Sequence, residues 1–170
     1  GFTWQLSNIA SVGNPRGFCP LVLQNDTMHV LYADRTLGTL FYAWRTISNP
    51  VWNRQALTQT TKTGNLLSSE CISTPDSFVV RSAFTEQYSR KLIYAERNQG
   101  WTFTEVDVPN VTRTALKLVS AGSQNRPFLA YSDSTTATLK LARYNGVAWT
   151  VENIVSNTYS SYLDLALTPA

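Results

Sequence analysis

Trp101-Thr-Phe-Thr-Glu-Val106 begins with tryptophan and then alternates polar and apolar residues, a pattern typical of a β-strand with one covered face. Similar segments stand at Trp4–Ile9, Trp52–Leu57 and Trp149–Ile154. The four tryptophans are separated by 48, 49 and 48 residues. The chain is therefore an internal repeat, and the tryptophan marks the same position in each unit.

Each unit also contains further short apolar segments separated by turn-forming residues, such as the pair Asn145-Gly146. The strands of each unit follow in the order outer, inner, second and third. The predicted outer strands are 4–10, 52–58, 101–107 and 149–155, and the inner strands are 17–24, 66–74, 114–122 and 161–168. The second strands are 28–34, 78–84 and 127–133, and the third strands are 40–46, 91–97 and 138–144. No long helical segment lies between them. The pattern predicts an all-β fold, a β-propeller with blades of four antiparallel strands.

These strands amount to about three and a half blades. A propeller ring needs at least about four blades, and an open stack would expose large blade faces and unpaired strand edges to water. We therefore expect residues 1–170 to form a single half-propeller domain. A second chain, related by a two-fold axis, is expected to complete a ring of about seven blades as a homodimer.

Composition excludes several classes of function. The 170-residue chain is 43% hydrophobic and carries a formal net charge of +3, and its basic residues are scattered, so nucleic-acid binding is not predicted. No apolar stretch is long enough to predict a membrane span. A surface rich in Thr, Ser, Asn and Gln predicts a secreted protein. The sequons at Asn25 and Asn110, both in predicted loops, are candidate glycosylation sites.

The two cysteines, Cys19 and Cys71, fall on the predicted inner strands of neighbouring blades. Inner strands approach one another near the central channel, which places the pair within reach of a disulfide. Two buried free thiols, acting as small apolar side chains, are the equal alternative.

The closest match to known repeats is the stretch that contains Phe128–Asp133, Leu139–Ala142 and Asn145–Trp149. It resembles the degenerate β-propeller repeats of bacterial and fungal proteins and is similar to the repeats of propeller lectins. The resemblance implies sugar binding without chemistry. The Arg, Glu and Trp set typical of fucose-binding propellers is not recognisable after the third-strand motif, and the sialidase Asp-box is absent.

Candidate ligand-binding residues follow the third strand of each repeat, at the rim where neighbouring blades meet. Sugar recognition combines an aromatic ring against the pyranose with charged groups that bond its hydroxyls. Packing and salt bridges between blades are the alternative role. The candidates are the aligned residues Trp44, Glu96 and Arg143 and the residues that follow them, Arg45, Arg97 and Tyr144.

Signatures of catalysis are not found in the sequence. The single histidine, His29, lies in a predicted core strand without a metal-ligand or triad spacing, and we expect it to be packed or solvent-facing. Asp34 and Asp133 align at the end of the second strand as turn caps, with Phe84 at the same position of the middle repeat. The repeated tryptophans are expected to be structural wedges. We predict no catalytic residues, no metal and no cofactor.

The leading hypothesis is a secreted lectin that binds a carbohydrate or glycoconjugate through repeated non-catalytic sites between blades. Weak sites on one ring would add up to avidity. Two alternatives remain open: a propeller scaffold for protein–protein interaction, and a glycan-active hydrolase or lyase with a site at the channel mouth.

Overall fold

The computed structural model describes thirteen β-strands. The described residues are 7–9, 15–18, 22–24, 26–34, 36–57, 63–73, 78–86, 88–108, 116–121, 126–157 and 165. Backbone alone is described at 15–18, 22–24, 63–73, 78 and 116–121. Within these ranges every regular element is a strand, which confirms the all-β class. No helix in the described ranges is long and apolar enough to cross a membrane.

The strands form three antiparallel sheets that follow one another along the chain. Sheet 1 contains β1 Pro15–Phe18, β2 Val22–Gln24, β3 Thr27–Asp34, β4 Thr39–Thr46 and β5 Asn53–Ala56. Sheet 2 contains β6 Thr63–Ser73, β7 Phe78–Glu86, β8 Leu92–Arg97 and β9 Trp101–Asp107. Sheet 3 contains β10 Leu116–Ala121, β11 Arg126–Asp133, β12 Thr138–Tyr144 and β13 Trp149–Ser156. In each sheet consecutive strands are neighbours, except that β1 and β2 both pair with β3.

The sequence repeat and the sheet are out of phase by one strand. Strands β5, β9 and β13, which follow or begin with the repeated tryptophans, pair with β4, β8 and β12 of the preceding repeat. The outer strand at the start of each sequence repeat is therefore the last strand of the sheet formed by the preceding repeat. The predicted strands at 4–10 and 161–168 lie outside the described residues, apart from 7–9 and 165, which are not in strands.

The sheets pack face to face with apolar cores between them. One core lies between sheets 1 and 2 and is formed by Leu31, Leu40, Tyr42, Val80, Phe84 and Ala95. A second lies between sheets 2 and 3 and is formed by Ala83, Leu92, Tyr94, Leu129, Tyr131 and Ala142. Because alternate residues of a strand point to opposite faces, both faces of sheet 2 are covered. Two of the repeated tryptophans lie at these cores as the sequence predicts, Trp101 against the first and Trp149 against the second.

Strand pairing corrects one alignment made from the sequence. Asp34 pairs with Thr39 and Asp133 with Thr138 at the start of the third strand. In sheet 2 the corresponding residue is Glu86, whose amide donates to the carbonyl of Lys91. The alignment of Phe84 with the two aspartates was wrong by two residues, because Phe84 is a core residue that is 1% exposed.

The hairpin between β12 and β13 turns at the predicted pair Asn145-Gly146, although only Gly146 of the two has a positive φ. Gly146 has a φ of 102°, a conformation that glycine adopts without steric cost. The side chain of Asn145 accepts hydrogen bonds from the amides of Val147 and Ala148, each at 2.9 Å. This tight turn fixes where Trp149 enters sheet 3.

Candidate functional site

The six candidate residues occupy two faces of their sheets. Trp44, Glu96 and Arg143 each precede the second candidate of their strand by one residue, and adjacent strand residues point to opposite faces. Trp44 and Glu96 face the next sheet along the chain, and Arg143 lies on the corresponding face of sheet 3, away from sheet 2. Arg97 and Tyr144 face the preceding sheet, and Arg45 lies on the corresponding face of sheet 1, away from sheet 2.

The structure therefore brings the candidates together in pairs from neighbouring sheets. Trp44 of sheet 1 and Arg97 of sheet 2 both contact the ring of Tyr42. Glu96 of sheet 2 and Tyr144 of sheet 3 are connected through Tyr94 and Trp149.

The remaining two candidates lie elsewhere. The guanidinium of Arg45 is over the ring of Trp52, 5.2 Å from its centroid, on the face of sheet 1 away from sheet 2. Arg143 forms an exposed ion pair with Glu152 on the face of sheet 3 away from sheet 2. Neither residue belongs to the two paired groups.

The first inter-sheet cluster, between sheets 1 and 2, consists of His29, Tyr42, Trp44, Arg97 and Trp101. Tyr42 is at its centre: Trp44 stacks on it at 5.0 Å, and Trp101 meets it edge-on at 5.5 Å between centroids. The Arg97 guanidinium lies 5.3 Å from the Tyr42 centroid, a cation–π distance. This cluster is aromatic and carries one permanent positive charge.

His29 is buried in the first cluster and is held neutral there. Its Nδ1 atom lies 2.6 Å from the Tyr42 hydroxyl oxygen, and the ring is 7% exposed. Burial, and then the positive charge of Arg97, lower the pKa of His29 to about 4. The sequence expectation of a packed histidine is confirmed.

The second inter-sheet cluster, between sheets 2 and 3, consists of Arg81, Tyr94, Glu96, Tyr144 and Trp149. Arg81 Nε donates to Glu96 Oε2 at 2.8 Å, and the Tyr94 hydroxyl donates to the same oxygen at 2.5 Å. Trp149 meets Tyr94 edge-on at 5.1 Å, and Tyr144 packs on Trp149 at 5.3 Å. A neutralised charge pair thus lies beside an aromatic surface from the facing sheet.

The two clusters are built from equivalent positions of the fold. Opposite Trp44 in β4 stands His29, and opposite Glu96 in β8 stands Arg81. Tyr42 and Tyr94 are also equivalent, and each is contacted by the tryptophan of the next sheet. The indole Nε1 atoms of Trp101 and Trp149 are both buried and donate to no described residue.

A polar network joins sheets 2 and 3 at the opposite end of their interface. Lys140 Nζ lies 2.8 Å from Asp133 and 3.3 Å from Asp107 of sheet 2, and the Tyr131 hydroxyl donates to Asp107 at 2.6 Å. Burial lowers the pKa of Lys140, but the two carboxylates outweigh it and the net pKa is raised. Burial, followed by the hydrogen bond to Asp107, raises the pKa of Tyr131. This network fixes the orientation of the two sheets.

A surface cleft of about 400 Å³ opens at the turn between β8 and β9. Glu96 of the second cluster and Trp101 of the first both line it, together with residues 98–100 and Thr102. One residue of each cluster therefore borders the same cleft.

Sequence reasoning missed the residues that tie each pair of candidates together. Arg81, Tyr94, His29 and Tyr42 were treated as strand interior, although all four lie within two positions of a candidate or directly opposite one. Pairing each third-strand candidate with the residue opposite it on the second strand would have found His29 and Arg81. The repeated tryptophans are also part of the clusters, in addition to their packing role.

Several predictions concern residues that the structure does not describe. Cys19, Asn25 and Asn110 lie outside the described residues. Cys71 stands opposite Val80 in β6, but its side chain is outside the described part. Within the described residues, no group of three or more His, Cys, Asp or Glu side chains is arranged to hold a metal ion.

Two solved structures are similar in fold to this chain. The chain is similar to the fucose-specific lectin from Aleuria aurantia (Hg-derivative form), with a TM-score of 0.60 and 15% identity over 85% of this chain and 46% of that chain. It is also similar to a triple arginine-to-alanine mutant of AofleA from Arthrobotrys oligospora, with a TM-score of 0.56 and 11% identity over 81% of this chain and 41% of that chain. No protein-family model matches the chain, and no curated protein is significantly similar in sequence.

At 15% and 11% identity, this likeness shows the fold alone, which is the β-propeller fold of these two neighbours. The chain spans less than half the length of each of these two neighbours. The sequence-based resemblance to propeller lectins is confirmed.

Proposed function

We propose that this protein is a secreted carbohydrate-binding protein, a lectin, with repeated non-catalytic sites between neighbouring blades. We assign a neutral sugar of the fucose class to the second cluster. The observation that carries this proposal is the Arg81–Glu96–Tyr94 group beside the Tyr144–Trp149 pair. The fucose specificity stated for the Aleuria aurantia lectin supports the sugar class.

The chemistry of the second cluster suits a neutral sugar. A sugar hydroxyl both donates and accepts, and the cluster offers a guanidinium donor next to a carboxylate acceptor. Because Arg81 and Glu96 neutralise one another, the site has no net charge to attract an ionic ligand. Tyr144 and Trp149 provide an aromatic surface on which the apolar face of a pyranose packs.

The experiment is a calorimetric titration with methyl α-L-fucoside. Glu96→Gln removes the acceptor charge with little change in shape, and it should weaken binding at least about tenfold. Glu105→Gln is the matched control, because Glu105 forms an exposed ion pair with Lys91 on the same sheet, away from the cluster. Equal affinity in both variants would contradict the assignment.

A glycan array tests the class of function more widely. Binding of sugars with loss in Glu96→Gln supports the lectin. Silence on the array together with capture of a protein partner would favour the scaffold, and release of a product would identify a glycan-active enzyme.

We further propose that residues 1–170 form one half-propeller domain and that a second copy completes a ring of about seven four-stranded blades. The chain covers 46% and 41% of the two neighbours, so two copies have about the length of one such neighbour chain. By the repeat of the fold, Arg143 of one copy would meet Arg45 and Trp52 of the other at the junction. Light scattering should then give about twice 19.0 kDa, and a compact monomer would contradict the proposal.

Secretion, glycans on Asn25 and Asn110, and a disulfide between Cys19 and Cys71 remain proposals that rest on the sequence. Mass spectrometry of the protein from a secreting host, without reductant, tests all three. A linked Cys19–Cys71 peptide and glycan mass on the two asparagines are the expected results. Two alkylatable thiols would contradict the disulfide.

A further inference from the structure

The two clusters occupy equivalent positions but differ in net charge. In the second cluster, Arg81 is paired with Glu96 and the facing sheet supplies Tyr144. In the first cluster, Trp44 stands in place of Glu96 and His29 in place of Arg81. The facing sheet supplies Arg97 where the second cluster has tyrosine. The charge pair of one cluster is thus replaced by a single cation in the other.

Arg97 has no bound carboxylate among the described residues. Ion pairs within that part of the chain join Arg81 to Glu96, Lys91 to Glu105, Lys140 to Asp107 and Asp133, and Arg143 to Glu152, and none of these involves Arg97. What lies next to the Arg97 guanidinium is the ring of Tyr42, and a cation–π contact does not neutralise the charge. His29 is neutral at pH 7, so the first cluster has a net charge of one positive unit.

The rest of the first cluster is an aromatic surface. Trp44 and Arg97 are both half-buried, so each keeps part of its side chain at the surface while resting on Tyr42. An arginine held against an aromatic ring is pre-organised to bind a carboxylate or sulfate with two parallel hydrogen bonds. The neighbouring indole offers a face for a sugar ring.

We propose that the first cluster binds an acidic sugar, with Arg97 bonding its carboxylate or sulfate group and Trp44 packing on its ring. This inference rests on the proposed function, that the inter-sheet clusters are sugar sites. It divides them into one site for a neutral sugar and one for an anionic sugar. In the second cluster, Glu96 neutralises the charge of Arg81. At the equivalent position of the first cluster stands Trp44, which has no charge to neutralise Arg97.

The test uses four probes with the intact chain, each titrated at low and at physiological salt. Methyl β-D-glucuronide carries a carboxylate, galactose 3-sulfate carries a sulfate, methyl β-D-glucoside is the neutral match, and methyl α-L-fucoside reports the second cluster. The glucuronide, the sulfated sugar or both should bind, with affinity that falls as salt rises, and the glucoside should bind at least tenfold more weakly. The two acidic probes distinguish a carboxylate from a sulfate ligand.

Two variants test whether the acidic sugar binds at the first cluster. Arg97→Met keeps the packing of the side-chain stem and should weaken binding of the acidic probe by about 10- to 100-fold, without changing the affinity for fucoside. Trp44→Glu introduces an acid at the position of Glu96 beside Arg97 and should abolish binding of the acidic probe even if Arg97→Met does not fold. The control is Arg54→Met, because Arg54 lies over Phe41 on the exposed strand β5 and should leave all affinities unchanged.

The outcomes separate this inference from the proposed function. Fucoside binding without any acidic-sugar binding, or acidic-sugar binding that ignores Arg97 and Trp44, overturns the inference and leaves the lectin proposal standing. Absence of binding to every sugar overturns both. Binding of a poly-glutamate peptide through Arg97 with no glucuronide or sulfate binding would also overturn it, in favour of an acidic protein partner.

Discussion

The first and second inter-sheet clusters show how one architecture gives two chemistries. Both have a tyrosine at the centre, contacted edge-on by the tryptophan of the next sheet at 5.5 Å and 5.1 Å. They differ at the cross-strand pair beside that tyrosine, which is His29 with Trp44 in one and Arg81 with Glu96 in the other. The shared residues hold the sheets together, and the differing residues decide what each cluster can bind.

The largest expected effect on stability tests the tyrosine–tryptophan packing that the two clusters share. Trp101→Ala and Trp149→Ala should each destabilise the fold by about 3–5 kcal/mol, because each removes an aromatic ring from a core between sheets. Urea unfolding measures the loss, and Val147→Ala, at a residue that is 89% exposed, should change almost nothing. A much smaller loss for one tryptophan would show that the clusters are not equivalent in packing.

The next largest effect on stability tests the Arg81–Glu96 ion pair, which only the second cluster has. Glu96→Gln should destabilise the fold by about 2–3 kcal/mol, because it removes the negative charge that lies 2.8 Å from the nearly buried guanidinium of Arg81. The loss is smaller than for a fully buried pair because the Glu96 side chain is 29% exposed and solvent screens the interaction. The double variant Arg81→Met with Glu96→Gln should recover part of the loss, and a strictly additive cycle would argue against coupling.

The contribution of the first cluster to the unfolding free energy should instead depend on pH, through His29. The pKa of His29 is about 4 in the fold and 6.5 in the unfolded chain, so the unfolded state binds more protons between these values. The stabilisation by neutral His29 is complete above pH 6.5, declines as the pH falls from 6.5 to about 4, and does not fall further below that pH. Lowering the pH from 7.5 to 5 should cost about 2 kcal/mol of unfolding free energy.

The control for this acid effect is His29→Gln, which keeps a side chain able to bond Tyr42 but cannot titrate. Its stability should change far less over the same pH range. The carboxylate of Asp133, whose pKa is lowered, loses its contribution only below 3.8 and does not interfere. An equal acid response in the variant would mean that other groups are responsible.

The smallest effect comes from the third member of the aligned set. Arg143 occupies the position of Trp44 and Glu96, but its ion pair with Glu152 is exposed on both sides, with side chains 51% and 46% accessible. Arg143→Ala should change the unfolding free energy by less than about 1 kcal/mol. A larger loss in a dilute monomer would show that this face of sheet 3 is covered within the chain.

The sequence by itself determined the repeat, the all-β class and most strand positions. Those features depend on local patterns: the spacing of Trp4, Trp52, Trp101 and Trp149, and the alternation of polar and apolar residues. The turn at Asn145-Gly146 was equally local, because its conformation follows from the residue types. The resemblance to propeller lectins also came from these repeats.

Only the tertiary structure decided which side chains meet. Trp44 and Arg45 are neighbours in sequence but face different sheets, so each cluster takes one candidate from each of two repeats. The pairing of β7 with β8 placed Arg81 opposite Glu96, a contact that the alignment of the repeats did not predict. Register and sheet stacking depend on packing between distant segments, so the candidate site was complete only when the sheets were assembled.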